Sequence, residues 1–255
     1  VDVITPDDHA AGEAPAFRLA YVPGVTPSKW VGIWAERRPD VPLELVALDV
    51  ADCGEAVAEG RVDMAITRLP EALRYGDARQ HHTIELYEEI TVVVVPKDHV
   101  LTAGEEMTLA DLADEQFLWP LDEPLTVPDR PGTAVEHRPE TAGDAVELVA
   151  AGVGVLLVPQ SLARLHHRKD LVYRPVIDAP TSAVGLLWPA PTTESADEFI
   201  GIVRGRKPTS SRGRTGEAPK RSAKEKAAAK RAAREAAGKI PGKSARRGSG
   251  RPKRR

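Results

Sequence analysis

Between residues 17 and 67 the chain alternates short apolar strands with short amphipathic helices. The connections between them are too brief for anything but close neighbours. "FRLAYV" (17–22) has the two-residue period of a strand, and "PSKWVGIWAERRP" (27–39) follows after a four-residue loop. In that second stretch Trp30, Ile33, Trp34 and Arg37 share one helical face, Thr26 and Pro27 suit the N-cap and first helical positions, and Pro39 ends the run. "LELVALDV", "CGEAVAEG" and "VDMAIT" then supply strand, helix and strand. A βαβαβ order of this kind demands a parallel sheet with helices on its faces.

The pattern resumes after residue 80. "HTIELYEEITVVVVPKDHVL" reads as two strands, and the β-branched run in the second suits a strand covered on both faces. "TLADLADE" is expected as a short helix capped by Thr108, and "FLW" as a strand. "AGDAVELVAAG" reads as a helix closed by Gly152, "VGVLLVP" as a strand and "QSLARLHH" as a helix. "AVGLLW" and "SADEFIGIV" close the series as strand and helix. The fold class is therefore α/β with strand–helix alternation in two halves.

Charge divides the chain. Residues 204–255 hold 20 Lys and Arg against three acids, Glu217, Glu225 and Glu235. Residues 1–203 keep 15 basic and 35 acidic residues. Such asymmetry implies an acidic folded body and a basic interaction tail. Residues 1–16 are expected to be disordered, being rich in Pro, Asp, Glu, Gly and Ala without a period. Cys53 is the single cysteine, which leaves no intrachain disulfide and fits a reducing compartment. No apolar run reaches the roughly 18 residues of a membrane span, and no secretory signal opens the sequence. The expected location is cytoplasmic, with no membrane partner.

Catalytic motifs are missing: there is no GxSxG, HExxH or GxxxxGK[ST]. The Gly-x-Gly at Gly152 and Gly154 follows a helix and precedes a strand, the reverse of a phosphate-binding loop, and reads as a helix stop and turn. His81–His82 and His166–His167 are adjacent pairs, which do not converge on one metal from a helix, and read as solvated histidines. Cys53 has no assignable base. No enzyme activity, metal or cofactor is expected. Two loops carry more weight. "GVTPS" (24–28) runs from a strand tip into a helix N-terminus, with Thr26 and Ser28 as extra donors, and Thr141 precedes a second helix in the same way. Helix N-termini offer free N–H groups to anions. Simple N-capping is the plainer reading of each. Facing one another across a cleft, the two would clamp a small anionic molecule.

The order "FRLAYVPG…W…ERRPDVPLELV", "EAVAEGRVDMAIT", "YEEITVVVVPKDHVL…TLADLADEQFLW" and "ELVAAGVGVLLVPQSLA" resembles the effector-binding domain of LysR-type transcriptional regulators. The resemblance implies a two-lobed, periplasmic-binding-protein-like (type 2) fold over residues 17–204 with a mixed sheet in each lobe. Lobe one would hold 17–92 and 177–204, and lobe two 93–176. It also implies a ligand-sensing role in transcription regulation, and a plausible homodimer. The ligand contacts it implies are Thr26, Ser28, Thr67, Arg68, Trp119, Pro120 and Thr141. Arg68 would either pair an anion bidentately or merely cap the lobe surface. The match starts at Phe17, so the winged helix-turn-helix and linker helix of the family are expected to be missing. "PLDEPLTVPDRPGTAVEH" replaces a family helix, and its four prolines make one cleft wall a loop.

Residues 205–255 form the basic Lys/Arg/Ala-rich tail. Ser222 and Glu225 make a capping box and Gly238 a stop for an alanine-rich helix without an apolar stripe. The tail is expected to touch DNA (or RNA) backbone through Lys220, Arg221, Lys224, Lys226, Lys230, Arg231, Arg234, Lys239, Lys243, Arg246 and Arg247. No aromatic residue is interleaved for base stacking. The acidic body is a second possible partner, and a solubilising extension with no partner is a third. A small-molecule (solute) binding protein with an incidental tail is the alternative function.

Overall fold

The computed structural model describes residues 16–69 and 81–207. The chain runs β1 (Phe17–Tyr21), α1 (Ser28–Arg37), β2 (Leu43–Ala47), α2 (Val50–Ala58), β3 (Met64–Leu69), β4 (His81–Glu89) and β5 (Thr91–Pro96). It continues with β6 (Gln116–Phe117), β7 (Thr133–Ala134), α3 (Ala142–Ala150), β8 (Leu156–Pro159), α4 (Gln160–Leu165), β9 (Leu171–Pro175), β10 (Ser182–Pro189) and α5 (Glu194–Val203). The tail residues named above, from Lys220 to Arg247, lie outside the described residues, as do 1–15.

The first sheet has the order β2-β1-β3-β10-β4. β1 pairs in parallel with β2 and β3, as the βαβαβ reading requires, while β10 enters antiparallel between β3 and β4. Its core takes the apolar faces of α1, α2 and α5. The periodicity of α1 explains its docking: Trp34 is buried, Trp30 and Ile33 pack partly against the same cluster, and Arg37 at the end of the stripe reaches Glu198 on α5. Trp34 stacks on Phe17 at 4.7 Å between ring centroids, Phe199 closes the group at 5.7 Å from Phe17, and the indole N–H donates to the Val41 carbonyl. Aromatic contacts of this sort add about 0.5–1.5 kcal/mol beyond area burial.

The second sheet is β8-β5-β9, antiparallel throughout, and parallel bridges at Phe117–Val155 and Met107–Val176 extend it. The run Thr91–Pro96 sits at its centre. Because side chains alternate along a strand, Val92 and Val94 join the cluster under α3 and α4, while Val93 and Val95 join Leu101, Phe117 and Trp119 on the opposite face. That is why the sequence there is valine without interruption. The chain crosses between the two sheets twice, at Ile90 and again over residues 176–181.

Three local expectations shift. α1 begins at Ser28 with Pro27 at the cap position in helical geometry, so Thr26 makes no cap and is exposed. "TLADLADE" shortens to a 3-10 turn at Ala110–Leu112: Thr108 and Asp111 do cap one another, but the chain must extend at once into β6. β9 had no clear strand signature, since Arg174 and Pro175 interrupt its apolar residues. Its pairing with β5 holds it, and Arg174 donates to the carbonyls of Gly104 and Thr102.

α3 carries the firmest cap. The Thr141 hydroxyl accepts from the Asp144 amide at 3.1 Å and Asp144 returns a carboxylate to the Thr141 amide at 3.1 Å. Gly152, at φ +73°, ends the turn after α3 as read from the sequence. Thr141→Ala is expected to destabilise the body by about 1 kcal/mol, seen as a lower urea midpoint. An unchanged midpoint would show that the box contributes nothing.

Candidate functional site

The seam between the two sheets is built around Arg68. It sits on β3, next to the strand's last residue, and is 1 % exposed. Its Nη1 donates to the Pro23 carbonyl at 2.9 Å and its Nη2 to the Ser161 hydroxyl at 3.0 Å, with Glu89 Oε2 at 3.4 Å. Ser161 in turn donates to Glu89 at 2.8 Å. Ser161 belongs to α4, which covers the second sheet, so one guanidinium ties the loop after β1, the end of β4 and a helix of the other core. Gly24, at φ +86°, brings that loop in: a Cβ there would stand 2.6 Å from Ser161 Oγ and 3.1 Å from Arg68 Nη2.

A cavity of about 260 Å³ opens beside this seam. From the first sheet's side come Pro23, Asp49, Val50 and Arg68. From the other side come Asp122 and Pro124 of the proline-rich loop, then Thr141, Ala142 and Gly143 of α3, and Leu162, Leu165 and His166 of α4. It shares Pro23, Asp49 and Leu165 with a wider hollow of about 760 Å³ that reaches Thr26, Asp52 and Arg164.

The proline-rich segment is a loop, as its composition demands, and it is pinned. Leu125 and Val127 insert into the second sheet's core. Arg138 donates to the carbonyls of Trp119 and Pro120 and pairs with Glu123, which also holds Arg130. The Arg130 guanidinium lies 4.5 Å from the Trp119 ring centroid.

The residues expected to touch ligand divide accordingly. Arg68 and Thr141 face the smaller cavity and Thr26 the wider one. Ser28 is exposed at the start of α1, and Thr67 is fully buried in the first sheet. Trp119 stacks on Phe117 in the core face turned away from α3 and α4, and Pro120 is a carbonyl acceptor for Arg138. None of Ser28, Thr67, Trp119 and Pro120 lines either cavity. Arg68 is buried and not a surface cap, and its charge is balanced by Glu89 within the seam.

The donor clamp expected from two helix N-termini is altered by the protein's own acids. The Ala142 amide donates to Asp122 at 3.0 Å and the Thr141 hydroxyl to Asp144 at 2.7 Å. Crowding by the cleft walls, with the Asp49 charge as a smaller contributor, pushes the Asp122 carboxyl above its ordinary pKa against the pull of the Ala142 amide. Sequence reasoning missed Asp49, Asp122, Glu89 and Ser161. Asp49 had a usable signal, since "LDVADCG" is a strand running into a helix start like "GVTPS". Of the histidine pairs, His82 packs on Trp188, whereas His166 is half-buried on the cavity wall. Among the described residues no three His, Cys, Asp or Glu are grouped to hold a metal, and no helix is long and apolar enough to cross a membrane.

Cys53 lies fully buried in α2, where burial pushes its thiol up to about 11. Thiolate, not thiol, is the reactive form. Alkylation at neutral pH is therefore expected to be far slower in the native chain than after denaturation. Equal rates would contradict this placement.

Comparison with known proteins adds a consistent set of likenesses. A family described as the LysR substrate binding domain matches residues 10–207. The HTH-type transcriptional regulator CatR of Pseudomonas putida is 36% identical over 157 residues, covering 56% of this chain and 52% of that protein. The Hca operon transcriptional activator HcaR of Escherichia coli K12 is 26% identical over 207 residues, covering 76% of this chain and 66% of the relative. The chain thus spans about half to two thirds of the length of these curated relatives. Among solved structures, oxidized OxyR superposes with a TM-score of 0.62 at 20% identity, covering 76% of this chain and 95% of that one. The BenM effector binding domain with its effector benzoate gives 0.58 at 22% identity, again covering 76% and 95%. These last two are likenesses of fold.

Proposed function

Because the chain belongs to the LysR substrate-binding domain family, we propose that it is the effector-sensing part of a transcription regulator, with the cleft beside Arg68 as its effector site. The carrying observation is a cavity walled from both cores at the place where the chain crosses between the sheets. A small molecule held there touches the α2 entrance on one side and α3 and α4 on the other. It therefore biases how the two cores stand about the Arg68–Glu89–Ser161 seam, which is the differential contact that any ligand-driven shift requires. The relatives' names, regulators and activators, support the transcriptional setting.

The basic residues from Lys220 to Arg247 supply the second part of the reading. They contact nucleic-acid phosphates without reading bases, so that the acidic body is held near DNA. A pair of such domains as a homodimer completes the proposal.

The test is a melt of the 255-residue chain, followed by the fluorescence of Trp30, Trp34, Trp119 and Trp188, against a panel of compact small molecules. A binder raises the melting temperature, because it stabilises only the folded state. A panel in which no compound of either charge does so would count against the effector site.

A peroxide-sensing version of the same fold is not favoured. The sequence holds a single cysteine, and its thiol is buried and protonated.

A further inference from the structure

We infer that the cleft selects a compact organic cation, a protonated amine on an apolar body, over an anion of the same shape. The inference rests on the effector-site reading above and sharpens it.

Four features of the smaller cavity lead there. Its two carboxylates, Asp49 and Asp122, come from opposite sides of the cleft and neither is paired with a basic side chain among the described residues, although Asp122 accepts the Ala142 amide, and its one arginine is already neutralised by Glu89. An entering anion meets uncompensated negative charge, whereas an ammonium meets two acceptors. The α3 N-terminus, the natural anion seat, is filled from within: Asp122 accepts from the Ala142 amide and Asp144 from Thr141. Apart from the His166 imidazole, which faces Asp122, the remaining side walls, Val50, Pro124, Leu162 and Leu165, are apolar and ask for a hydrocarbon body. At about 260 Å³ the space falls just under the roughly 300–1,000 Å³ typical of drug-sized ligands.

An independent feature specifies the other end of the ligand. Arg68 is 1 % exposed and forms part of the wall, yet its Nε has no hydrogen-bond partner. A buried donor left unmet is costly. Since the guanidinium charge is balanced, a neutral acceptor suffices, and a hydroxyl or carbonyl oxygen on the ligand provides it once the wall around Nε, which is closed here, opens on binding. An amino alcohol with a small apolar group satisfies both ends.

Three isosteric probes separate the cases: 2-amino-1-phenylethanol, 1-phenylethane-1,2-diol and mandelate. They share the ring and the benzylic hydroxyl and carry charges of opposite sign or none. With the full chain, followed by tryptophan fluorescence, the amine is expected to raise the melting temperature, with the diol well behind and mandelate without effect. Asp49→Asn and Asp122→Asn should each weaken the amine by about tenfold, the worth of one charge-assisted hydrogen bond. Asparagine keeps an acceptor for the Ala142 amide, so a lost cap does not mimic the result. Binding of mandelate in preference to the amine would overturn the choice of a cation and leave the effector site standing. Amine binding that survives both substitutions would equally overturn it. If none of the three moves the melt, the inference fails. The effector site fails separately, when ligands of any charge leave the amides of Ala142 and Gly143 undisturbed.

Discussion

Glu89→Ala is expected to destabilise the body by about 3–5 kcal/mol, the usual result of stranding a buried charge. Arg68 is almost fully buried, and Glu89, with 9% of its side chain exposed, is the carboxylate beside it. Ser161, which donates to Glu89 and accepts from Arg68, would be left between an unpaired cation and nothing. Urea unfolding followed by tryptophan fluorescence reads the loss. The double variant Arg68→Met/Glu89→Leu should recover most of it, since replacing both members of a buried pair by apolar residues is often neutral. A loss below about 1 kcal/mol for Glu89→Ala would place the pair with surface salt bridges, which contribute that little, and would remove the seam from the account.

Truncation after Lys207 is expected to abolish nucleic-acid binding and leave the melting temperature of the body unchanged. The cut keeps Arg206, which pairs with Asp197, accepts from Arg37 and donates its amide to Gly201. Everything removed follows Lys207 in the sequence, and it carries most of the basic surplus of a chain whose first 203 residues are acidic. With six to ten phosphate contacts, affinity for a random DNA duplex should fall about 10³–10⁵-fold between 50 and 200 mM salt in the full chain. The truncated chain should show no measurable binding at either salt. Equal affinity with and without residues 208–255 would refute the tail's part in the proposal.

What could be read from the sequence was whatever repeats locally. The one-sided stripe of α1 and the unbroken valines of β5 each follow from burial on one face or two, and each shows as periodicity. Thr141 announced its helix because capping is a contact between residues three apart. β9 stayed hidden because its pairing with β5, and Arg174's bonds across 70 residues to Gly104, are long-range. The cleft shows the same division. Thr26 and Thr141 were named from helix starts, and Arg68 from the family resemblance. Asp122 was not, because its place beside Ala142, 20 residues away, is fixed by how Arg138 and Glu123 fold the proline-rich loop. The partners of Arg68 are 21, 45 and 93 residues distant, so its role as a seam could not be told from that of a ligand clamp.

The central claim is that one small molecule contacts both cores at once. Amide resonances of the isotope-labelled chain, followed while a stabilising compound is titrated in, test it most directly. The account predicts that shifts gather at Asp49 and Val50 from one core and at Asp122, Ala142, Gly143 and His166 from the other, saturating together. Shifts confined to one side of the seam, or centred on the far face near Val100–Ala103, would contradict it.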